Sequence, residues 1–228
     1  MKFISVVRGR NCGKYIDQCI HSIVSQDVDW GIHIILDPSK DDSWERASKY
    51  QSNRIKVTLN EKRQGVGRNM YFGIRDSGAE PEDVICIVDA DDYLLPDALR
   101  KVKKVYDEKH CLVTYGSFIL DCTGAKSRIC KPYEAGEKVR KAKWKGTHLK
   151  TFKRKVFDNI PFEYLDVSAA SDLALMFGVM ESAGIGNCEH ISKPLYHYRN
   201  KVANSVNRDK QKAYEKTIRK MKCLKKQF

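Results

Sequence analysis

Four short, mostly apolar runs, each followed by a segment with helical patterning, constrain this 228-residue chain more than any other feature. The runs cover residues 3–7, 32–36, 55–59 and 84–88. Between the first two, Tyr15, Ile16, Cys19, Ile20, Ile23 and Val24 recur at helical spacing, which predicts a helix over 14–26. Asn11 is placed to cap it, and Ser43 to cap a second helix over 43–53. A third helix over 67–77 stops at Gly78, and Pro96 opens a fourth that reaches Tyr106. Short apolar strands that alternate with helices form a mostly parallel central sheet with helices on both faces, an α/β fold. Residues 112–120 read as a fifth strand and 121–145 as a long loop or hairpin. Residues 172–182 read as a helix with Leu173, Met176, Phe177 and Met180 on one face, ended by Gly184 and Gly186.

The length suits one large domain with a C-terminal appendage. The apolar runs are far shorter than the ~20 residues a bilayer requires, and the first residues read as a strand rather than a signal peptide. The eight cysteines are scattered singly with no Cys-x-x-Cys pair, so they read as reduced, buried thiols of a cytoplasmic protein. The net charge of +13 is local. Residues 135–155 hold nine Lys/Arg against one acid, and residues 207–228 hold nine against two. The remainder is therefore slightly acidic, and no nucleic-acid partner is expected for it. Residues 207–228 read as a basic amphipathic helix with Tyr214, Ile218, Met221 and Leu224 on one side. Such a helix can make weak contact with an anionic membrane surface, or pack its stripe on the domain; the second reading is preferred.

Ligands of open parallel sheets bind beyond the carboxyl ends of the strands. Two strands end there in acids: the second at Asp37, the fourth in Asp89-Ala90-Asp91-Asp92. Three carboxylates at the end of a buried strand repel one another unless a cation sits among them. Mg²⁺ and Mn²⁺ take oxygen ligands and bridge phosphates, so Asp91 is the first candidate metal ligand. Asp92 and Asp97 have a plainer reading as helix caps.

Ile85-Cys86-Ile87-Val88-Asp89-Ala90-Asp91-Asp92-Tyr93-Leu94-Leu95-Pro96 closely resembles the Asp-x-Asp segment of family 2 glycosyltransferases of the GT-A fold. Other segments follow in that family's order. Arg10-Asn11-Cys12-Gly13-Lys14-Tyr15-Ile16 resembles its first loop and helix. Leu36-Asp37-Pro38-Ser39-Lys40-Asp41-Asp42-Ser43 resembles its Asp-Gly-Ser-Thr-Asp loop, and Gly65-Val66-Gly67-Arg68-Asn69 its Gly-x-x-x-Arg-Asn helix start. The match covers about residues 2–107 and returns at Ser171-Asp172 and Leu195-Tyr196-His197-Tyr198-Arg199.

The resemblance implies one nucleotide-diphospho-sugar transferase domain over 1–206. Within it, 1–107 is the nucleotide-binding half and 108–206 the acceptor-side half, with acceptor specificity in 121–165. It implies a metal-dependent, inverting transfer from a nucleoside-diphosphate sugar, foremost a UDP-sugar, to a hydroxyl of a glycan or other acceptor. Arg8, Asp37, Arg68, Asp89, Asp91 and Arg199 are the implied nucleotide-sugar contacts. Asp37 would hold the base, with Pro38 in place of the usual glycine. Asp89 would take the ribose, and Arg68 and Arg199 the phosphates. Asp91 and His197 would hold Mn²⁺ or Mg²⁺. Asp172 would be the general base, with Ser171 where the family has a first acid and Asp166 as substitute. His148 would line the acceptor pocket. Two other classes fit parts of the pattern: a sugar-phosphate nucleotidyltransferase, through the basic glycine-containing loop 7–13, and a non-enzymatic nucleic-acid-binding module, through the two basic segments.

Overall fold

The computed structural model describes residues 1–120, 126–128, 130–134, 136–142, 144–167 and 169–199. The expected basic helix over 207–228 lies outside them. The strands are β1 (Phe3–Gly9), β2 (Trp30–Leu36), β3 (Ile55–Leu59), β4 (Val84–Asp89), β5 (Tyr93–Leu94), β6 (Val113–Leu120), β7 (Lys126–Arg128), β8 (Lys150–Lys153) and β9 (Cys188–Tyr198). They form one sheet in the order β3-β2-β1-β4-β8-β6-β9-β5, with β7 beside β6. The pairs β1–β2, β1–β4, β2–β3 and β6–β9 are parallel, and β8 runs antiparallel between β4 and β6. The chain is therefore an α/β protein with a mostly parallel central sheet, as the alternation predicts.

Alternation along β1 and β4 divides the core in two. Phe3, Val7, Val84, Cys86 and Val88 pack on α1 (Gly13–Val24), α2 (Ser43–Ser48) and α4 (Ala98–Lys109). Ile4, Val6, Ile85 and Ile87 pack on α3 (Val66–Arg75), α5 (Phe162–Leu165) and α6 (Ser171–Ala183). Successive strand residues point to opposite faces, so a strand between two helical layers must be apolar on both sides.

Some expected details differ. Neither Asn11 nor Ser43 caps its helix. Asn11 has a left-handed backbone, with φ of 51°, and its side chain accepts the Lys40 N–H at 2.9 Å. The Ser43 hydroxyl accepts the Cys12 N–H at 2.8 Å. Both join the loop after β1 to the loop after β2, where loop backbone needs partners as much as a helix end does. The second helix ends at Ser48, not Asn53. The fourth helix starts at Ala98; Asp97 precedes it without a side-chain cap and pairs with Arg100 at 3.0 Å. Helix α6 is buried almost all round, not on one stripe. Trp144 covers its Phe177 edge-on at 5.4 Å, and Arg140 forks onto its Glu181 at 2.6 Å. The segment before β8 thus roofs the helix and removes its solvent face.

Candidate active site

The carboxyl ends of β1, β2, β4 and β9 lie along one edge of the sheet and carry most of the expected residues. Arg8 pairs with Arg8's register partner Asp89, Nη2 to Oδ1 at 2.8 Å. Asp92 is buried; its Oδ2 accepts from the Tyr196 hydroxyl at 2.8 Å and its Oδ1 from the Arg199 N–H at 2.7 Å. The same Tyr196 oxygen accepts the Asp89 N–H at 3.0 Å. Arg199 lies between the rings of Tyr15 and Tyr93, 4.9 and 4.8 Å from their centroids. Its guanidinium donates to the Asp91 carbonyl and to Gln18. His197 stacks on Tyr93 at 4.4 Å.

Burial, then the charge of Asp89, pushes the Asp91 carboxyl up to about 6. Burial and the charges of Asp89 and Asp91 push Asp92 up to about 8. Repulsion and burial thus favour either proton uptake by these carboxyls or a cation among them. Among the described residues no three His, Cys, Asp or Glu side chains converge as a metal cage. The donor set instead suits an ion held by one or two carboxylates plus substrate phosphates, the usual arrangement for Mg²⁺.

A second group sits across the edge. Asp172, in the first turn of α6, accepts from Lys150 Nζ on Oδ2 at 3.0 Å. Burial alone would raise its pKa, but the Lys150 ammonium, through its charge and its hydrogen bond, holds it well below the usual carboxylate range. His148 is buried, stacked on Tyr196 at 4.5 Å, and kept neutral by burial and by Lys150. The two groups are joined through His148: it lies 3.5 Å from Lys150 Nζ on one side and stacks on Tyr196, whose hydroxyl reaches Asp92, on the other.

Two expected contacts are engaged elsewhere. Asp37, 3% exposed, accepts from Asn60 at 3.0 Å and from the backbone N–H groups of Gln64 and Gly65 at 2.9 Å. It holds the end of β2 to the start of α3. Arg68 forks onto Asp166 at 2.8 and 3.1 Å, so two separate candidates answer each other. Gly67 makes that approach possible: a Cβ there would lie 1.9 Å from the Leu165 carbonyl oxygen. Lys150 and Tyr196 carry as much of the geometry as the expected residues. Lys150 carries no signal of this role in the sequence, since it stands among the nine basic residues of 135–155 and its strand has no apolar run.

The mostly parallel sheet with acidic residues along its carboxyl edge is that of the GT-A fold. The model for glycosyl transferase family 2 matches residues 6–163, and the chain belongs to that family. The glycosyltransferase GlyG of Streptococcus pneumoniae is 31% identical over 112 residues, 47% of this chain and 36% of that protein. The chain spans less than half the length of the curated relatives it matches. Among solved structures, S. aureus TarS 1-349 in complex with UDP-GlcNAc superposes with a TM-score of 0.75 at 18% identity, over 97% of this chain and 65% of that one. GalNAc-T7 with UDP, GalNAc and Mn²⁺ superposes with a TM-score of 0.69 at 13% identity, over 96% and 48%.

Proposed function

We propose that this chain transfers a sugar from a UDP-sugar to a hydroxyl acceptor, with a divalent cation at Asp91 and Asp172 as proton acceptor. One observation carries the reading: a continuous chain of contacts runs from the acidic turn to Asp172, with Asp92 to the Tyr196 hydroxyl at 2.8 Å, the Tyr196 ring to His148 at 4.5 Å, and Lys150 from His148 to Asp172 at 3.0 Å. The UDP-sugar is supported by the two fold neighbours, whose structures hold UDP-GlcNAc in one case and UDP, GalNAc and Mn²⁺ in the other. Asp89 and Arg8 are assigned to the ribose side, and Arg199 and Arg68 to the phosphates. His197 is a further metal ligand in this reading, and Asp37 supports the base through the loop it holds. A bound Mn²⁺ or Mg²⁺ would neutralise the departing diphosphate. Asp172 takes the proton of the acceptor hydroxyl as its oxygen attacks the anomeric carbon. Attack opposite the leaving group inverts the anomeric configuration.

A thermal-shift screen of UDP and UDP-sugars, with and without Mn²⁺, tests the donor side, because a ligand of the folded state raises the melting temperature. UDP with Mn²⁺ should stabilise the wild type and not Asp91→Asn. Equal shifts in both proteins would remove Asp91 from the metal site. Asp172→Asn should lower turnover by roughly 10²–10⁴ while keeping the donor shift. Asn remains a good residue for a helix start, so near-normal turnover would leave Asp172 a purely structural part.

A further inference from the structure

Lys150 opens β8 with a side chain only 1% exposed. A buried ammonium persists only where partners answer it. Its Nζ donates to Asp172 Oδ2 at 3.0 Å and lies 3.5 Å from His148 Nε2. Among the described residues no other side chain bonds to the Asp172 carboxylate. The Asp172 side chain is part-exposed, at 37%, while its anchor lies in the core. A buried ion pair is a weak means of stabilising a fold, since an apolar pair of similar volume often does as well. The pair therefore calls for a chemical reason.

We infer that Lys150 is the positioning residue of the proton acceptor: it fixes Asp172 through Oδ2 and leaves Oδ1 for the acceptor hydroxyl. The inference rests on Asp172 acting in that role. Ser171, the neighbour of Asp172, takes no proton at neutral pH, so a single carboxylate must be held in place and kept charged. The groups that face it are Lys150 and His148 from β8 and the residues before it, Arg8 from β1 and Tyr198 from β9. His148 is neutral, and Tyr198, pushed up to about 12, is neutral as well. Lys150 is thus the full charge in direct contact, with Arg8 acting from further away. Its cost is a weaker base; its gain is a carboxylate that stays ionised and oriented at every working pH.

The test has two readouts. Turnover is followed against pH for wild type and Lys150→Met at saturating donor, acceptor and Mn²⁺. In parallel, the carboxyl titration of Asp172 is followed by NMR in the metal-free chain with ¹³C-labelled aspartate, the signal being assigned by its loss in Asp172→Asn. Removing an adjacent cation raises a carboxylate pKa, so the acidic limb and the NMR titration should both move to higher pH, by about one to three units. The KM for the donor should stay within about twofold, since Lys150 touches the acceptor side; a packing defect would move stability and leave both titrations in place. Lys150→Gln, which keeps a donor and removes the charge, gives the same readout if the Met variant does not fold. Titrations that coincide with the wild type overturn the inference. Near-normal turnover in Asp172→Asn overturns the proton-acceptor reading instead, and the NMR shift then tests the Lys150 contact by itself.

Discussion

Removing the Asp37 carboxylate would leave three donors without their acceptor: Asn60 Nδ2 and the N–H groups of Gln64 and Gly65. A buried unsatisfied donor costs about 1–3 kcal/mol, so Asp37→Ala should lower the unfolding free energy in urea by about 2–4 kcal/mol. A loss below about 1 kcal/mol would mean that the loop relaxes and water takes over the acceptor role. Arg68→Ala should behave in the opposite way. Its pair with Asp166 is exposed on both sides, and such pairs contribute about 0–1 kcal/mol. Acidic residues at strand ends were legible because a charge that follows an apolar run has no packing explanation. Their partners were not. Lys150 reads as one of nine basic residues in a charged segment, and only the fold buries it beside Asp172. The Arg68–Asp166 pair joins positions 98 residues apart, which no local pattern reports.

At the scale of elements, His33 ties β2 to two neighbours. Its Nδ1 lies 2.9 Å from the Gly73 carbonyl oxygen in α3, and its Nε2 lies 3.1 Å from the Thr58 hydroxyl in β3. A carbonyl only accepts, so Nδ1 carries the proton and Nε2 accepts from the threonine. Burial lowers the pKa of this ring; the Gly73 carbonyl opposes the shift and Lys56 adds to it. With the folded-state pKa below the unfolded value of about 6.5, the unfolded chain takes up the proton first as pH falls. Stability should therefore be level above about pH 6.5 and decline below it, and His33→Gln should flatten that decline in melting curves between pH 5 and 8. Identical slopes in the two proteins would assign the acid sensitivity to other groups. The strands β1, β2 and β4 were legible because each is largely apolar on both faces; β3, at the sheet edge, buries Ile55 and exposes Lys56. Helix α6 was only half legible: Leu173, Met176, Phe177 and Met180 marked one face, but Trp144 and Arg140 come from a segment whose sequence reads as a loop. Strand β8 escaped because four residues with lysines at both ends show neither alternation nor an apolar run.

At the scale of the molecule, the sheet continues from the first half into the second, and β9 supplies Tyr196, Tyr198 and the residue that follows, Arg199. The Tyr196 hydroxyl joins the Asp89 N–H to the Asp92 carboxylate across more than 100 residues of chain. Tyr196→Phe keeps the packing and removes that link, leaving a buried N–H and carboxylate short of a partner. It should cost about 1–3 kcal/mol in urea unfolding and weaken the UDP and Mn²⁺ thermal shift together. A variant as stable as the wild type, with the same shift, would show that the acidic turn holds its shape unaided. The parallel sheet was legible at this scale because its rule is local and repeated; the closure by β9 was not, because it depends on which distant strand arrives beside β6.

That arrival also has a schedule. During synthesis β1 to β4 leave the ribosome and can pair while β9 is still unmade, so Asp89, Asp91 and Asp92 spend that interval without Tyr196, Arg199 or the stacked His197. The acidic turn is thus made before the residues that enclose it, and UDP binding should switch on only once Arg199 has emerged and β9 has docked.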